Sequence, residues 1–278
     1  MRTHIHINGV TMSVEQRGLD KQPTLVLLHG FTGSAASWDE HLDTFAHHGF
    51  RVIALDMLGH GQSDAPIDAR RYTIEHCEAD ILAVLNVLGV REGEAILLGY
   101  SMGGRIALYT AFSGFFRALI LESASPGLGD ALERAQRKQS DEQLADRIER
   151  DGIEAFVAYW EHLPLFASLQ RLPYKQQQRL HQQRLHNRAL GLANSLRGVG
   201  TGVQPALQER LVTLTIPTLL IAGILDTKFC AIAQQMAHLL PQAHVCIVPD
   251  AGHTVHLEQP EQFDQLVIDF CTTTSPID

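Results

Sequence analysis

No apolar run in this 278-residue chain approaches the ~20 residues that cross a bilayer. The opening stretch, Met1-Arg2-Thr3-His4-Ile5-His6, lacks the apolar segment that marks a secretory signal, so a cytoplasmic protein is expected. Cysteine is scarce. The four cysteines (Cys77, Cys230, Cys246 and Cys271) show no metal-type spacing, and three of them fall in apolar or helical stretches and read as small core residues. An excess of positive charge is also missing: the formal net charge is −9, which argues against non-specific nucleic-acid binding. Anionic small molecules remain compatible, because a local cluster of cations can outweigh the net charge. No internal repeat is evident. Histidine is plentiful, with 15 copies, yet no His-Glu-x-x-His or Cys-x-x-Cys pair occurs. His4 and His6 alternate on one face of a first strand, and His47-His48 closes a helix beside Gly49, where partial positive charge suits the helix dipole. Neither a metal nor a cofactor is expected.

What is present is an alternation of short apolar runs with helical periods. Hydrophobic residues make up 45% of the chain, enough for a sizeable core. Residues 2–17 alternate around Asn8-Gly9, a hairpin signal. Thr24–Leu28 is apolar enough for a strand buried on both faces, and strands are also expected at 51–55, 95–98, 118–121, 217–222 and 244–248. Helices are expected over 36–47, 72–88 and 261–270, with a frayed tail at 272–278. The rhythm changes between about Gly127 and Leu214. That stretch is rich in Arg, Gln and Glu, holds no convincing β run, and is punctuated by Pro164 and Pro173. The pattern predicts a mostly parallel, doubly wound α/β sheet with an N-terminal antiparallel hairpin and a helical cap insertion. The expected boundaries are residues 1–126 and 215–278 for the core and 127–214 for the cap.

The most informative segment is Gly99-Tyr100-Ser101-Met102-Gly103, between the apolar run Ala95–Leu98 and a helix-like stretch. Gly-x-Ser-x-Gly in a strand–turn–helix setting forms a sharp bend that lifts a nucleophilic hydroxyl to a helix N-terminus. Two further loops complete a constellation. Asp226 follows the penultimate strand in Gly223-Ile224-Leu225-Asp226, and His253 follows the last strand in Asp250-Ala251-Gly252-His253-Thr254. Alone, Asp226 could cap a turn and His253 could be a surface histidine. Together, in the order Ser, Asp, His at the ends of parallel strands, they point to a triad in which Asp226 orients His253 and His253 takes the Ser101 proton. After the first long strand comes His29-Gly30-Phe31-Thr32-Gly33, whose glycines allow close backbone approach. The N–H groups of Phe31 and Met102 are the expected oxyanion donors. His29 is expected to brace this loop by hydrogen bonds, and it is grouped with the substrate-binding residues. Asp56–Ser63 is expected to shape the loop beside the site.

These motifs resemble the α/β hydrolases along the whole chain. The resemblance is closer to one branch, the 2-succinyl-6-hydroxy-2,4-cyclohexadiene-1-carboxylate synthases of menaquinone and phylloquinone biosynthesis. It rests on Leu28–Gly33, Gly99–Arg105, Ser125–Leu128, Tyr159-Trp160-Glu161, Leu163–Phe166, Ser195–Gly198, Gly200-Thr201-Gly202, Asp226–Phe229 and Gly252–His256. It implies an α/β-hydrolase fold and a carbon–oxygen lyase that eliminates pyruvate from 2-succinyl-5-enolpyruvyl-6-hydroxy-3-cyclohexene-1-carboxylate. The triad would then act as a base relay without an acyl-enzyme. The implied ligand carries three carboxylates, and an acidic protein needs placed cations to hold it. By position against the family motifs these are Arg105, Arg137, Arg184 and Lys228, with Tyr100 and Trp160 lining the pocket. Arg105 also lies one helical turn beyond Ser101, and Lys228 two residues beyond Asp226. Arg134, Lys138, Arg188 and Arg197 are further cap cations that a solvated helix face would explain equally well. The other class of activity this scaffold suits is a carboxylesterase or C–C bond hydrolase, and a third is a non-enzymatic ligand receptor. No nucleic-acid partner and no membrane span are expected, and the expected assembly is a monomer or a weak homo-oligomer.

Overall fold

The computed structural model describes residues 1–20 and 22–274. Eight strands form one sheet: β1 (Arg2–Ile7), β2 (Val10–Arg17), β3 (Thr24–Leu28), β4 (Arg51–Leu55), β5 (Ala95–Tyr100), β6 (Ala118–Glu122), β7 (Thr218–Gly223) and β8 (Ala243–Val248). Their order is β1-β2-β4-β3-β5-β6-β7-β8. The Asn8-Gly9 turn, with both residues at positive φ, closes the expected hairpin, and β2 then runs antiparallel to β4. From β4 across to β8 every pairing is parallel.

Parallel strands need crossover helices, and these cover both faces. All five residues of β3 are buried. Val26 and Leu28 point into one core, which also holds Ile81 and Ile106, while Leu25 and Leu27 point into the other with Trp38, Leu42 and Phe263. On the first face lie α2 (Ile74–Val87) and α3 (Met102–Ala111). On the second lies α1 (Asp39–His47), preceded by a 3-10 turn at Ala35–Trp38, so the helix expected from residue 36 begins as a tighter coil. The C-terminal helix, α9 in chain order, spans Pro260–Thr273 and packs on this same face. It therefore includes Thr272 and Thr273, which the sequence pattern assigned to a frayed tail; residues 275–278 of that tail lie outside the described residues.

Between β6 and β7 the chain leaves the sheet. It forms α4 (Ala131–Trp160), a 3-10 segment (Pro164–Arg171), α5 (Tyr174–Leu185) and α6 (Ala189–Val199). Gly152, at φ 82°, divides α4 into two helical runs. Ala145, Ile148, Phe156, Val157, Leu192 and Leu196 give this insertion a small core of its own, against which Phe31 packs. After β7 come α7 (Thr227–Leu239) and, beyond β8, the short α8 (Val255–Glu258). Among the described residues no helix is long and apolar enough to cross a membrane.

Candidate active site

Ser101 joins β5 to α3 with φ 51° and ψ −107°, a left-handed conformation that a side chain disfavours. The surrounding glycines make the bend feasible. A Cβ on Gly103 would lie 2.3 Å from the Leu28 carbonyl oxygen, and one on Gly99 would lie 2.3 Å from the Gly103 carbonyl oxygen. The bend is also tied to the next strand, since the Ser101 N–H donates to the Glu122 carbonyl at 2.9 Å.

The three expected triad residues come together. Ser101 Oγ lies 3.0 Å from His253 Nε2, and His253 Nδ1 lies 2.7 Å from Asp226 Oδ2. The Asp226 Oδ1 atom accepts the Phe229 N–H at 3.2 Å, so this carboxylate caps α7 as well as holding the imidazole. With the carboxylate on Nδ1, the ring keeps its proton there and presents a basic Nε2 to the serine. His253 is only 2% exposed. Phe229, Tyr100 and Phe166 surround it at ring-centroid distances of 4.7, 5.5 and 6.0 Å. Burial keeps the Tyr100 phenol protonated by pushing its pKa up, and its oxygen hydrogen-bonds Thr254 Oγ1 at 2.8 Å.

The loop after β3 runs close to the nucleophile. A Cβ on Gly30 would meet the Tyr100 ring at 2.6 Å and the Ser101 Cβ at 3.6 Å. Among the described residues the Phe31 N–H has no acceptor, and Met102 opens α3, where backbone N–H groups lack intrahelical partners. Both expected oxyanion donors are thus unengaged beside Ser101. His29 is elsewhere: it is fully buried, its Nδ1 donates to the Gly30 carbonyl at 2.7 Å, and its Nε2 accepts the Met57 N–H at 3.0 Å. Burial lowers its pKa, consistent with this neutral tautomer. Both ring nitrogens are used within the protein, so His29 braces the loop as expected, and neither is free in this structure to meet a ligand. Asp56 has the expected architectural place, accepting the Ala35 N–H at 2.6 Å and the Gln62 N–H at 2.9 Å.

Ser101 opens into a cavity of about 730 Å³ between the sheet edge and the helical insertion, lined by Phe31, Tyr100, Arg105, Arg137, Trp160, Lys228 and His253 among others. Three of the four expected cations are on its wall. Arg105 Nη1 donates to the Val199 carbonyl at 2.7 Å and to Gln204 Oε1 at 3.0 Å, both neutral oxygens. Burial, and next the charge of Arg137, push its pKa down to about 10. Among the described residues no carboxylate forms an ion pair with Arg105 or with Lys228, which is exposed. Arg137 spends one nitrogen on Asp141 at 2.7 Å and remains 45% exposed. The Trp160 indole N–H is buried on this wall without a partner among the described residues.

Arg184 is not on that wall. It is buried behind Phe166, with its guanidinium 5.4 Å from the ring centroid, and Nη1 pairs with Glu161 at 3.1 Å. The other cap cations face elsewhere. Arg197 pairs with Glu142, Asp146 and Glu149, Arg134 bonds the Leu128 and Gly129 carbonyls, and Arg188 bonds the Ser63 carbonyl.

The sequence motifs did not flag Gln204, which holds Arg105, or the buried pair of Glu122 and His256 beneath Tyr100, whose Oε2 and Nδ1 are 2.8 Å apart. His256 sat within a quoted motif, but nothing in the local pattern around Glu122 marks a buried carboxylate at the end of an apolar strand.

Comparison with known proteins is consistent with this geometry. The profile of the alpha/beta hydrolase fold matches residues 23–260. A Bacillus subtilis (strain 168) protein, named provisionally as a 2-succinyl-6-hydroxy-2,4-cyclohexadiene-1-carboxylate synthase, is 46% identical over 271 residues and covers 96% of each chain. The synthase of that name from Salmonella typhimurium (strain LT2) is 34% identical over 241 residues, covering 86% of this chain and 89% of its own. The solved structure of MenH from S. aureus superposes with a TM-score of 0.89 at 34% identity, over 95% of this chain and 98% of that one.

Proposed function

The chain belongs to the α/β-hydrolase fold family and to its 2-succinyl-6-hydroxy-2,4-cyclohexadiene-1-carboxylate synthase branch, and from that premise we propose how its own residues carry out the reaction. It is a lyase of menaquinone biosynthesis. The substrate is 2-succinyl-5-enolpyruvyl-6-hydroxy-3-cyclohexene-1-carboxylate, and the chemistry is an elimination. His253 Nε2 takes the proton of Ser101 Oγ across their 3.0 Å hydrogen bond. The serine oxygen removes the carbon-bound proton beside the succinyl ketone, and the electron pair of that C–H bond moves onto the ketone oxygen. The N–H groups of Phe31 and Met102 receive the developing charge. The enolate then collapses to form the C2–C3 ring double bond, the existing C3–C4 double bond shifts to C4–C5, and the C5–O bond to the enolpyruvyl group breaks. Enolpyruvate leaves with the pair, takes up the proton stored on the enzyme and tautomerises to pyruvate. Ser101 acts as a relay and forms no ester.

The observation that carries this reading is Arg105. A buried guanidinium whose direct hydrogen bonds go only to neutral oxygens, with Asp141 acting on it through space while paired to Arg137, is an incompletely compensated charge. A carboxylate on the ligand would supply its missing partner, and Arg fits a carboxylate with two parallel hydrogen bonds. Arg137 and Lys228 are proposed to hold the other carboxylates, with Tyr100 and Trp160 as apolar walls. Arg184 is proposed to act through Phe166, whose ring it supports. Residues 127–214 are proposed as a lid domain over a core of residues 1–126 and 215–278, and a cytoplasmic location is proposed with them.

The test is a coupled pyruvate assay on the enolpyruvyl substrate, run beside mass spectrometry of the enzyme after mixing with a chromogenic ester. Stoichiometric pyruvate with no mass added at Ser101 is the expected outcome. An accumulating acyl group on Ser101, without pyruvate release, overturns the relay in favour of hydrolysis.

A further inference from the structure

Ser123 is the first residue beyond β6, next to Glu122, whose carbonyl accepts the Ser101 N–H. Its own N–H donates to the Ile221 carbonyl of β7 at 2.9 Å, so its backbone is fixed between two strands. It sits at φ 48°, a left-handed conformation in which glycine would be free of strain. It is 2% exposed, and among the described residues its Oγ has no hydrogen-bond partner. A buried hydroxyl left unmade and a backbone held against its preference both carry a cost, and glycine at this position would remove both. Ser13 Oγ is likewise buried without a partner, but it lies within β2, whereas Ser123 lines the cavity into which Ser101 opens.

We propose that Ser123 is a substrate-binding residue whose hydroxyl donates a hydrogen bond to a carboxylate oxygen of the ligand. This rests on the function proposed above. The chemistry of the cavity selects the ligand group: Arg105, Arg137 and Lys228 share the wall, so the guest is anionic, and a hydroxyl donor without a protein acceptor suits an anionic oxygen. The side of the nucleophile is also defined. Ser123 lies toward β7, the strand that leads to Asp226 and Lys228, and away from the loop that carries Phe31. It would therefore fix the end of the ligand remote from the oxyanion donors.

The experiment compares Ser123→Ala and Ser123→Gly with the parent in the pyruvate assay, alongside thermal melts and calorimetric titration with citrate as a tricarboxylate probe. A hydrogen bond to a charged group corresponds to about a tenfold to hundredfold change. Both variants should raise KM by about that factor with kcat within threefold of the parent, and both should weaken citrate binding in proportion. Ser123→Gly should melt at or above the parent temperature, because the strain goes with the side chain, so it stays informative if Ser123→Ala folds poorly. KM and citrate affinity within twofold of the parent in the folded variants overturn the assignment and leave the hydroxyl to an ordered water. A parent that releases no pyruvate overturns the proposed function separately, and the citrate titration then still decides Ser123: affinity lost in the variants supports it, while equal affinity, or a parent that binds no citrate, sinks it.

Discussion

Arg105 and Arg184 carry the same side chain on two different supports. Arg105 rises from a helix pinned to the sheet, one turn beyond Ser101, and its position follows from the bend that also places the nucleophile. Arg184 ends a helix of the insertion and is claimed by Glu161 and the Phe166 ring. The same contrast runs through the molecule. On the sheet side, each functional group stands at the carboxyl end of a strand, where parallel pairing leaves no freedom of register. On the lid side, helices packed through a small apolar core set their own rotation, and charges settle on whichever neighbours are near. In the proposed function the sheet supplies the chemistry at fixed coordinates, and the insertion proposed as a lid supplies a wall that other contacts adjust.

The contrast can be tested in order of expected effect. Replacing the nucleophile by Ser101→Ala should lower kcat about 10³-fold or more, because it removes the relay outright, while circular dichroism and melting stay near the parent. A smaller loss would mean that His253 reaches the carbon-bound proton through water. Next, Arg105→Ala should cost about 2–5 kcal/mol in kcat/KM, or roughly thirtyfold to a few thousandfold, as expected for a buried charged contact to a ligand. Arg184→Ala should cost about tenfold less than that, because it acts through Phe166. Equal losses would break the distinction between the two supports.

A subtler effect concerns pH. With the Arg105 pKa at about 10, kcat/KM should fall as pH rises through that value, since the free enzyme loses the cation that captures the ligand. A bound carboxylate favours the charged form, so the same limb in kcat should lie at higher pH. Unfolding would not imitate this. The unfolded chain keeps the Arg105 proton to a higher pH than the folded one, so over that interval the Arg105 contribution to folding stability rises with pH. A pH profile of Arg105→Ala without the alkaline limb checks the assignment. The smallest effect belongs to the outer seam, where Arg179 on α5 pairs with Asp39 and Glu40 on α1 while about half exposed. Arg179→Ala should change stability by about 0–1 kcal/mol, measured by denaturant melts. A larger loss would make the seam a main fastening of the lid.

What the sequence disclosed follows the same division. Ser101, Asp226 and His253 were legible because each motif adjoins an apolar strand, and strand ends in a parallel sheet converge. Helix boundaries moved by three residues at most, with Ala35–Trp38 tightening into a 3-10 turn. The lid could be recognised by the absence of strands and the return of the α/β rhythm after it. Its side-chain directions could not, because they depend on the break at Gly152 and on which carboxylates lie opposite. Arg137 reached the cavity and Arg184 did not, although both looked alike as cations on amphipathic helices. Ser123 was invisible for another reason. Its signal is a positive φ and an unfilled hydrogen bond, neither of which leaves a trace in residue order. His29 could be read either way until both of its nitrogens were seen to be spent inside the loop.

The excursion of the chain between β6 and β7 also bears on how the enzyme is born. Ser101 and His253 stand 152 positions apart, and the carboxylate that orients the imidazole arrives only after the whole lid has been synthesised. A nascent chain that has laid down β3 through β6 therefore holds a bent but inert hydroxyl. Its proposed base and the carboxylate that orients it follow the last two strands to be synthesised, so the proposed relay cannot be complete before both have been made.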